Sequence, residues 1–112
     1  LERKKRLNRT TDIQRVRQKG KSFPHPLLVL IVLSGEDQPE CQIGVIATKS
    51  IGGAVERNRA KRLIRVSVDE VINTIRPDVK ALIIARKPIV QADVSEVSAA
   101  LHLMIHKAKI CI

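Results

Sequence analysis

The sequence predicts a small α+β domain with its elements in the order α-β-β-α-β-α. Three observations carry that expectation. Leu27–Leu33 is a continuous apolar run of strand length, as a central sheet strand requires. Two more short segments of strand character, Cys41–Thr48 and Lys80–Ala85, follow it. Residues 54–75 and 94–108 instead space their apolar residues at helical period. A sheet with helices packed against it is the simplest way to bury all these faces.

Taken in chain order, the first ten residues read as a basic, extended arm. Thr11-Asp12-Ile13-Gln14 has the T-x-x-Q form of a capping box, Ile13 and Val16 lie at i, i+3, and Gly20 suits the residue after a helix C-terminus. The expected helix covers about 12–19. Phe23-Pro24-His25-Pro26 then breaks any helix. The polar link Ser34–Pro39 is short enough for Leu27–Leu33 and Cys41–Thr48 to form an antiparallel hairpin, and Gly44 marks a close backbone approach or a bulge. Gly52-Gly53 opens a long helix over about 54–75. Its core stripe is Ala60, Ile64, Val71 and Ile75, flanked by Leu63, Val68 and Ile72, and Arg76-Pro77 stops it. After the strand Lys80–Ala85, Asp93-Val94-Ser95-Glu96 caps a last helix whose apolar residues, Val94, Val97, Leu101, Met104 and Ala108, alternate in steps of three and four.

A chain of 112 residues with 44% hydrophobic residues suits one domain with its own core. No apolar run is long enough to span a bilayer, and the basic N-terminal run has no apolar segment behind it, so neither a membrane partner nor a secretory signal is expected. Cys41 and Cys111 lack CxxC spacing and are expected as free thiols in a reducing, cytoplasmic setting. With three histidines, of which His102 and His106 sit at i, i+4, no zinc-ligand pattern is present.

The net charge of +10 is unevenly placed. Residues 1–21 carry +7 and residues 49–65 carry +5, so the remaining 74 residues sum to −2. Two cationic segments on a near-neutral domain form the footprint of a surface that displaces counterions from a phosphate backbone. In the second segment, at 100° per residue, Asn58, Arg62 and Arg65 share a helix face away from the core stripe. Arg57 and Lys61 border it on one side and Arg59 on the other. Like charges one turn apart repel by a few tenths of a kcal/mol per pair. That density is tolerable where the surface meets an anion, and arginine forks bind phosphate bidentately.

The order of residues is more specific than their charge. Thr48 to Arg65, with its R-N-R-x-K-R helix (Arg57-Asn58-Arg59-Ala60-Lys61-Arg62) after a lysine-glycine loop, closely resembles the signature of the bacterial ribonuclease P protein subunit. The resemblance extends in order to Asp12–Gly20, Leu27–Leu33, Ile43-Gly44-Val45 and Ile84-Ala85-Arg86-Lys87-Pro88. It implies a ribosomal-protein-like fold with a left-handed βαβ crossover. It implies a protein that binds a large catalytic RNA and assists removal of the 5′ leader from precursor tRNA, with the phosphodiester hydrolysis and its Mg2+ belonging to the RNA. It implies that Lys49, Arg57, Asn58, Arg59, Lys61, Arg62 and Arg65 contact that RNA, and that the cleft between the first helix and the sheet holds the leader. No cofactor of the protein itself and no obligate protein partner are implied.

The chain departs from the family pattern at several positions. Where the family commonly places aromatics facing the leader, this chain has Ile13, Arg17 and Ile31, and its only aromatic is Phe23. Ser50 replaces the second lysine of the usual pair, and Val66-Ser67-Val68 replaces an acidic-aromatic continuation. The acids Glu36, Asp37, Asp69 and Glu70 are scattered, so the residues suggest no hydrolytic centre of the chain's own. Two rival readings are a non-enzymatic RNA-binding module, such as a ribosomal or assembly protein, and a DNA-binding protein using the 54–75 helix. The second lacks a short helix-turn-helix before that helix.

Overall fold

The computed structural model describes all 112 residues. Its elements are α1 (Thr10–Lys19), β1 (Lys21–Pro24), β2 (Leu28–Leu33), β3 (Gln42–Ile46), α2 (Ala54–Val71), β4 (Lys80–Ala85) and α3 (Val94–Ala108). Single 3-10 turns occupy Arg3–Lys5, Lys49–Ile51, Ile72–Thr74 and Lys87–Gln91. The sheet order is β1-β2-β4-β3. β2 runs antiparallel to both β1 and β4, and β3 runs parallel to β4. α2 is therefore the crossover between two parallel neighbours, the connection such a pair requires.

The expected hairpin between the second and third strands does not form. β4 lies between β2 and β3, pairing Leu30 with Ile83 on one side and Ile83 with Val45 on the other. β4 is the most apolar-buried strand, with Ala81, Leu82, Ile83 and Ala85 all inside, which suits the central position better than β3. β1 was not expected. Its Pro24 lacks a donor, but an edge strand tolerates one.

The sheet divides the interior unequally. Leu28, Leu30, Val32, Ile43, Ala81 and Ile83 meet α2 and α3 in a cluster of 24 buried residues. The other face carries only three, Leu7, Val16 and Leu82, with Ile13, Ile31, Leu33 and Ile46 half-buried around them. α1 lies on this thinner side. α2 presents Ala60, Ile64, Ser67, Val68 and Val71 to the core, and α3 presents Val97, Ala100, Leu101, Met104 and Ile105. Val94, expected on that stripe, is exposed. α2 ends at Val71, and Ile75 continues as extended backbone bridged to Cys111 rather than as helix.

The ends of α1 differ from expectation. Its N-cap is Arg9 with no side-chain cap, so the T-x-x-Q box is not used. Gly20 has φ −76°, an ordinary extended value, and serves space instead. A Cβ there would stand 2.5 Å from the Val16 carbonyl oxygen and 2.7 Å from Ile31 Cγ2. Gly44 does admit a close backbone approach, since its Cβ would fall 2.8 Å from the Leu7 oxygen. That contact also docks part of the N-terminal arm. Leu7 is buried, its N–H donates to the Ile43 carbonyl at 3.0 Å, and Arg6 bridges Ile43 in parallel, so the arm covers the edge of β3.

The D-x-x-E box of α3 is formed. The Asp93 carboxylate accepts from the Glu96 N–H at 2.9 Å, and Glu96 accepts from the Asp93 N–H at 3.3 Å. The Glu96 N–H, then the Ser95 hydroxyl, hold the Asp93 carboxyl below its ordinary range.

Two outcomes follow for stability. Gly20→Ala is expected to destabilise by about 1–3 kcal/mol, read from denaturant unfolding, because backbone must move to admit the methyl. Because the folded pKa of Asp93 lies below the unfolded one, its cap contributes fully above about pH 4 and fades as pH falls through the folded value. The stability gap between wild type and Asp93→Ala should therefore close in acid, as a pH series of thermal melts would read.

Candidate nucleic-acid interface

Burial of the Ala60–Val71 stripe turns the opposite side of α2 outward. Asn58, Arg62 and Arg65 are exposed there, with Arg57 and Lys61 half-buried beside them, and Lys49 is exposed on the preceding turn. None of these five cations has a carboxylate within ion-pair distance. Elsewhere Lys4, Arg15, Arg76 and Lys80 are all paired with acids. One helix face and the loop leading into it thus carry five cations with no acid to neutralise them, a set that a polyanion would neutralise.

Arg59 does not belong to that free set. Its guanidinium is half-buried and donates to two backbone carbonyls, Nη1 to Val90 at 3.0 Å and Nη2 to Ala92 at 2.8 Å. It ties α2 to the Lys87–Gln91 turn and the start of α3. The expectation that Arg59 faces solvent like Arg62 and Arg65 is corrected. Helical phase alone put it beside the exposed face, and the clamp depends on a segment some 30 residues later.

Gly52 has φ +144°, a region that favours glycine, and the Glu56 side chain folds back against it. The carboxylate of Glu56, close to Gly53, faces the N-terminal turn of α2. Thr48 and Ser50 hydroxyls lie 2.7 Å apart on the loop. The Lys49–Ile51 turn packs against the turn Lys87–Gln91, whose Lys87 is exposed. Lys87 lies outside both cationic segments, so only the tertiary packing links it to them.

On the other face of the sheet, Ile13 and Ile31 both pack against the Val16–Leu82 cluster and stay half-buried. Arg17 is exposed one turn after Ile13, outside that cluster. The cross-sheet row Val29, Ile84 and Ile46 is half-buried and extends the apolar floor. These three were missed because strand alternation marks them as one face of the sheet without showing that a helix covers only part of it. A groove of about 230 Å³ runs between Ile13, Gly44 and Val45, and its wall includes Arg6, Asn8 and Arg65. Arg65 therefore joins the basic face of α2 to the α1 side of the sheet. Arg6 and Asn8 are additional polar groups there, placed by the docking of Leu7.

No three His, Cys, Asp or Glu side chains converge as a metal-ligand group. His102 Nδ1 instead bonds the Ser98 carbonyl oxygen at 2.8 Å on α3. Burial pushes the Cys41 thiol up, away from nucleophilic use, and both cysteines are free. No helix is long and apolar enough to cross a membrane.

The family model for ribonuclease P matches residues 1–109. The chain belongs to the ribonuclease P protein family. It is 39% identical over 110 residues to the ribonuclease P protein component of Listeria innocua serovar 6a, covering 98% of this chain and 90% of that one. It is 40% identical over 101 residues to the component of Bacillus cereus strain Q1, covering 90% and 88%. Among solved structures, the Staphylococcus aureus RNase P protein superposes with a TM-score of 0.86 at 25% identity, over 96% of this chain and 98% of that one. The α+β fold is shared, and the chain is a ribonuclease P protein component, part of an endoribonuclease of tRNA processing.

The split within its arginines is testable by unfolding. Arg59→Ala leaves two carbonyls without their charged donor and should cost about 1–3 kcal/mol. Arg62→Ala and Arg65→Ala should each stay within about 0.5 kcal/mol of wild type.

Proposed function

We propose that the chain grips the ribonuclease P RNA through Lys49, Arg57, Asn58, Lys61, Arg62 and Arg65, and that the cleft between α1 and the sheet receives the 5′ leader of precursor tRNA. The single observation behind this reading is the set of five unpaired cations on the α2 face and its loop. Such a set carries repulsion that phosphate contact would relieve. Arg59 joins the interface through the turn it clamps rather than as a free contact. Ile13 and Ile31 supply an apolar wall, and Arg17 a guanidinium plane, where stacking aromatics are absent. Arg65, shared between the helix face and the groove, favours a continuous path from one RNA to the other.

Bond cleavage is assigned to the RNA subunit. On this reading, which follows the family resemblance, the Mg2+ of the hydrolysis belongs to the RNA, and the protein's part is to bind and orient.

The test is reconstitution. Adding the chain to a ribonuclease P RNA and precursor tRNA in moderate magnesium should raise kcat/KM, and the chain alone should not cleave. Arg62→Ala and Arg65→Ala should each weaken RNA affinity about tenfold. Each should also flatten the log K against log salt slope by about 0.7–0.9. Binding to structured RNA with no gain in leader removal would point instead to a non-enzymatic RNA-binding module.

A further inference from the structure

α1 is weakly anchored by apolar packing, since Val16 is its only fully buried residue. A chain of alternating charges adds directional contacts. Arg15 donates to Glu36 from both Nη atoms, the Nη2–Oε2 contact being 2.9 Å. Lys80 then reaches Glu36 at 3.9 Å and Asp12 at 3.4 Å. Asp12 and Arg15 sit at i, i+3 on α1, so both ends of this chain return to the same helix.

The acceptor in the middle is fixed to the sheet. Gly35 N–H donates to Asp78 Oδ2 at 2.9 Å, and Glu36 N–H donates to the Asp78 carbonyl at 3.0 Å. Gln38 Nε2 donates to the Pro77 and Val79 carbonyls at 3.1 and 2.9 Å. Together these fasten the β2–β3 loop onto the backbone leading into β4. The Glu36 and Lys80 side chains are only 13% and 15% exposed, whereas Arg15 is 44% exposed. Glu36 is thus a largely desolvated post, and a charge so placed is costly to leave without its partner. The hydrogen bond from Arg15 holds its carboxyl below the ordinary range.

The position of the clasp matters for the cleft. At 100° per residue, Ile13 and Arg17 centre on one side of α1, and Arg15 points about 180° away. The clasp therefore grips the edge of the helix away from Ile13, the α1 residue that lines the groove. Any roll or lift of α1 about that edge changes how far Ile13 and Arg17 stand over Ile31, Ile84 and Ile46. We infer that Arg15, Glu36, Lys80 and Asp12 act as positioning residues that set the width of the α1–sheet cleft, and so the affinity for a leader strand, without touching the leader or the RNA subunit. This inference rests on the proposed leader-binding reading.

The experiment uses the reconstituted holoenzyme and compares precursor tRNA with a five-nucleotide leader against mature tRNA. Arg15→Gln leaves Glu36 with only the more distant Lys80, at 3.9 Å. It should weaken precursor binding about threefold to fivefold, raise KM with little change in kcat, and leave mature tRNA binding and RNA-subunit affinity unchanged. Arg15→Lys keeps one charge-assisted bond and should recover part of the loss, a rescue that a purely packing role would not give. If Glu36→Gln is also soluble and folded by circular dichroism, it should match Arg15→Gln. Full precursor affinity in Arg15→Gln overturns the clasp, as does equal weakening of precursor and mature tRNA. A wild-type holoenzyme that does not distinguish the two tRNAs overturns the leader-binding reading itself, a separate failure.

Discussion

The seating of Ala60, Ile64, Val68 and Val71 against the sheet is the contact on which the functional reading depends. A helix has one rotational phase once such a stripe is buried, and α2 has little freedom because it must cross between two adjacent parallel strands. That phase sends Asn58, Arg62 and Arg65 outward together. Rotation by one residue position, 100°, would turn a cationic side chain into the apolar interior in place of the Ile64–Val68 stripe, a cost far above the few tenths of a kcal/mol of repulsion among the cations. The apolar side of the helix therefore decides where the charge goes, and the charged side contributes little to stability. This separation lets the surface carry repulsion in the unbound protein that a polyanion relieves.

The pairing pattern of charges across the chain sharpens that contrast. Lys4, Arg15 and Lys80 are held by acids from other segments, and Arg76 by Asp78 two residues on. Their work is structural, fastening the arm, α1 and the β4 approach. Arg59 is spent on backbone carbonyls. Net charge alone does not distinguish these uses. What marks a cation as available is the absence of a partner in the folded chain, a tertiary property.

Much of the fold was legible because its signals are local. β4 occupies Lys80–Ala85 as expected, since an apolar run bounded by polar residues fixes its own ends. The Asp93–Glu96 box needs only residues three apart. The start of α2 follows from two glycines, one of them at φ +144°. The failures share a different cause. Strand order, the docking of Leu7 and the Arg59 clamp each depend on a partner distant in sequence: β4 for β2 and β3, Ile43 for Leu7, and Val90 and Ala92 for Arg59. For the candidate site, the basic face was readable from helical period, while the cleft was not. Ile13 and Ile31 were named from resemblance and do meet at one cluster, but Val29, Ile46 and Ile84 become its floor only because α1 stops short of them.

The unequal faces of the sheet bear on where motion is affordable. Local opening costs least where few apolar groups are buried. The α2–α3 side, with 24 buried residues, has to open almost globally to move, whereas the α1 side buries three. A cleft built on the thin side can admit a flexible strand without disturbing the face that displays the cations. The same thinness leaves α1 underdetermined by packing, so polar contacts must fix its angle. Placing a desolvated carboxylate between an arginine and a lysine supplies direction that Val16 alone does not. The division into a rigid half that presents charge and a lightly packed half held by directional contacts is thus one consequence of covering a four-stranded sheet with two helices on one side and one short helix on the other.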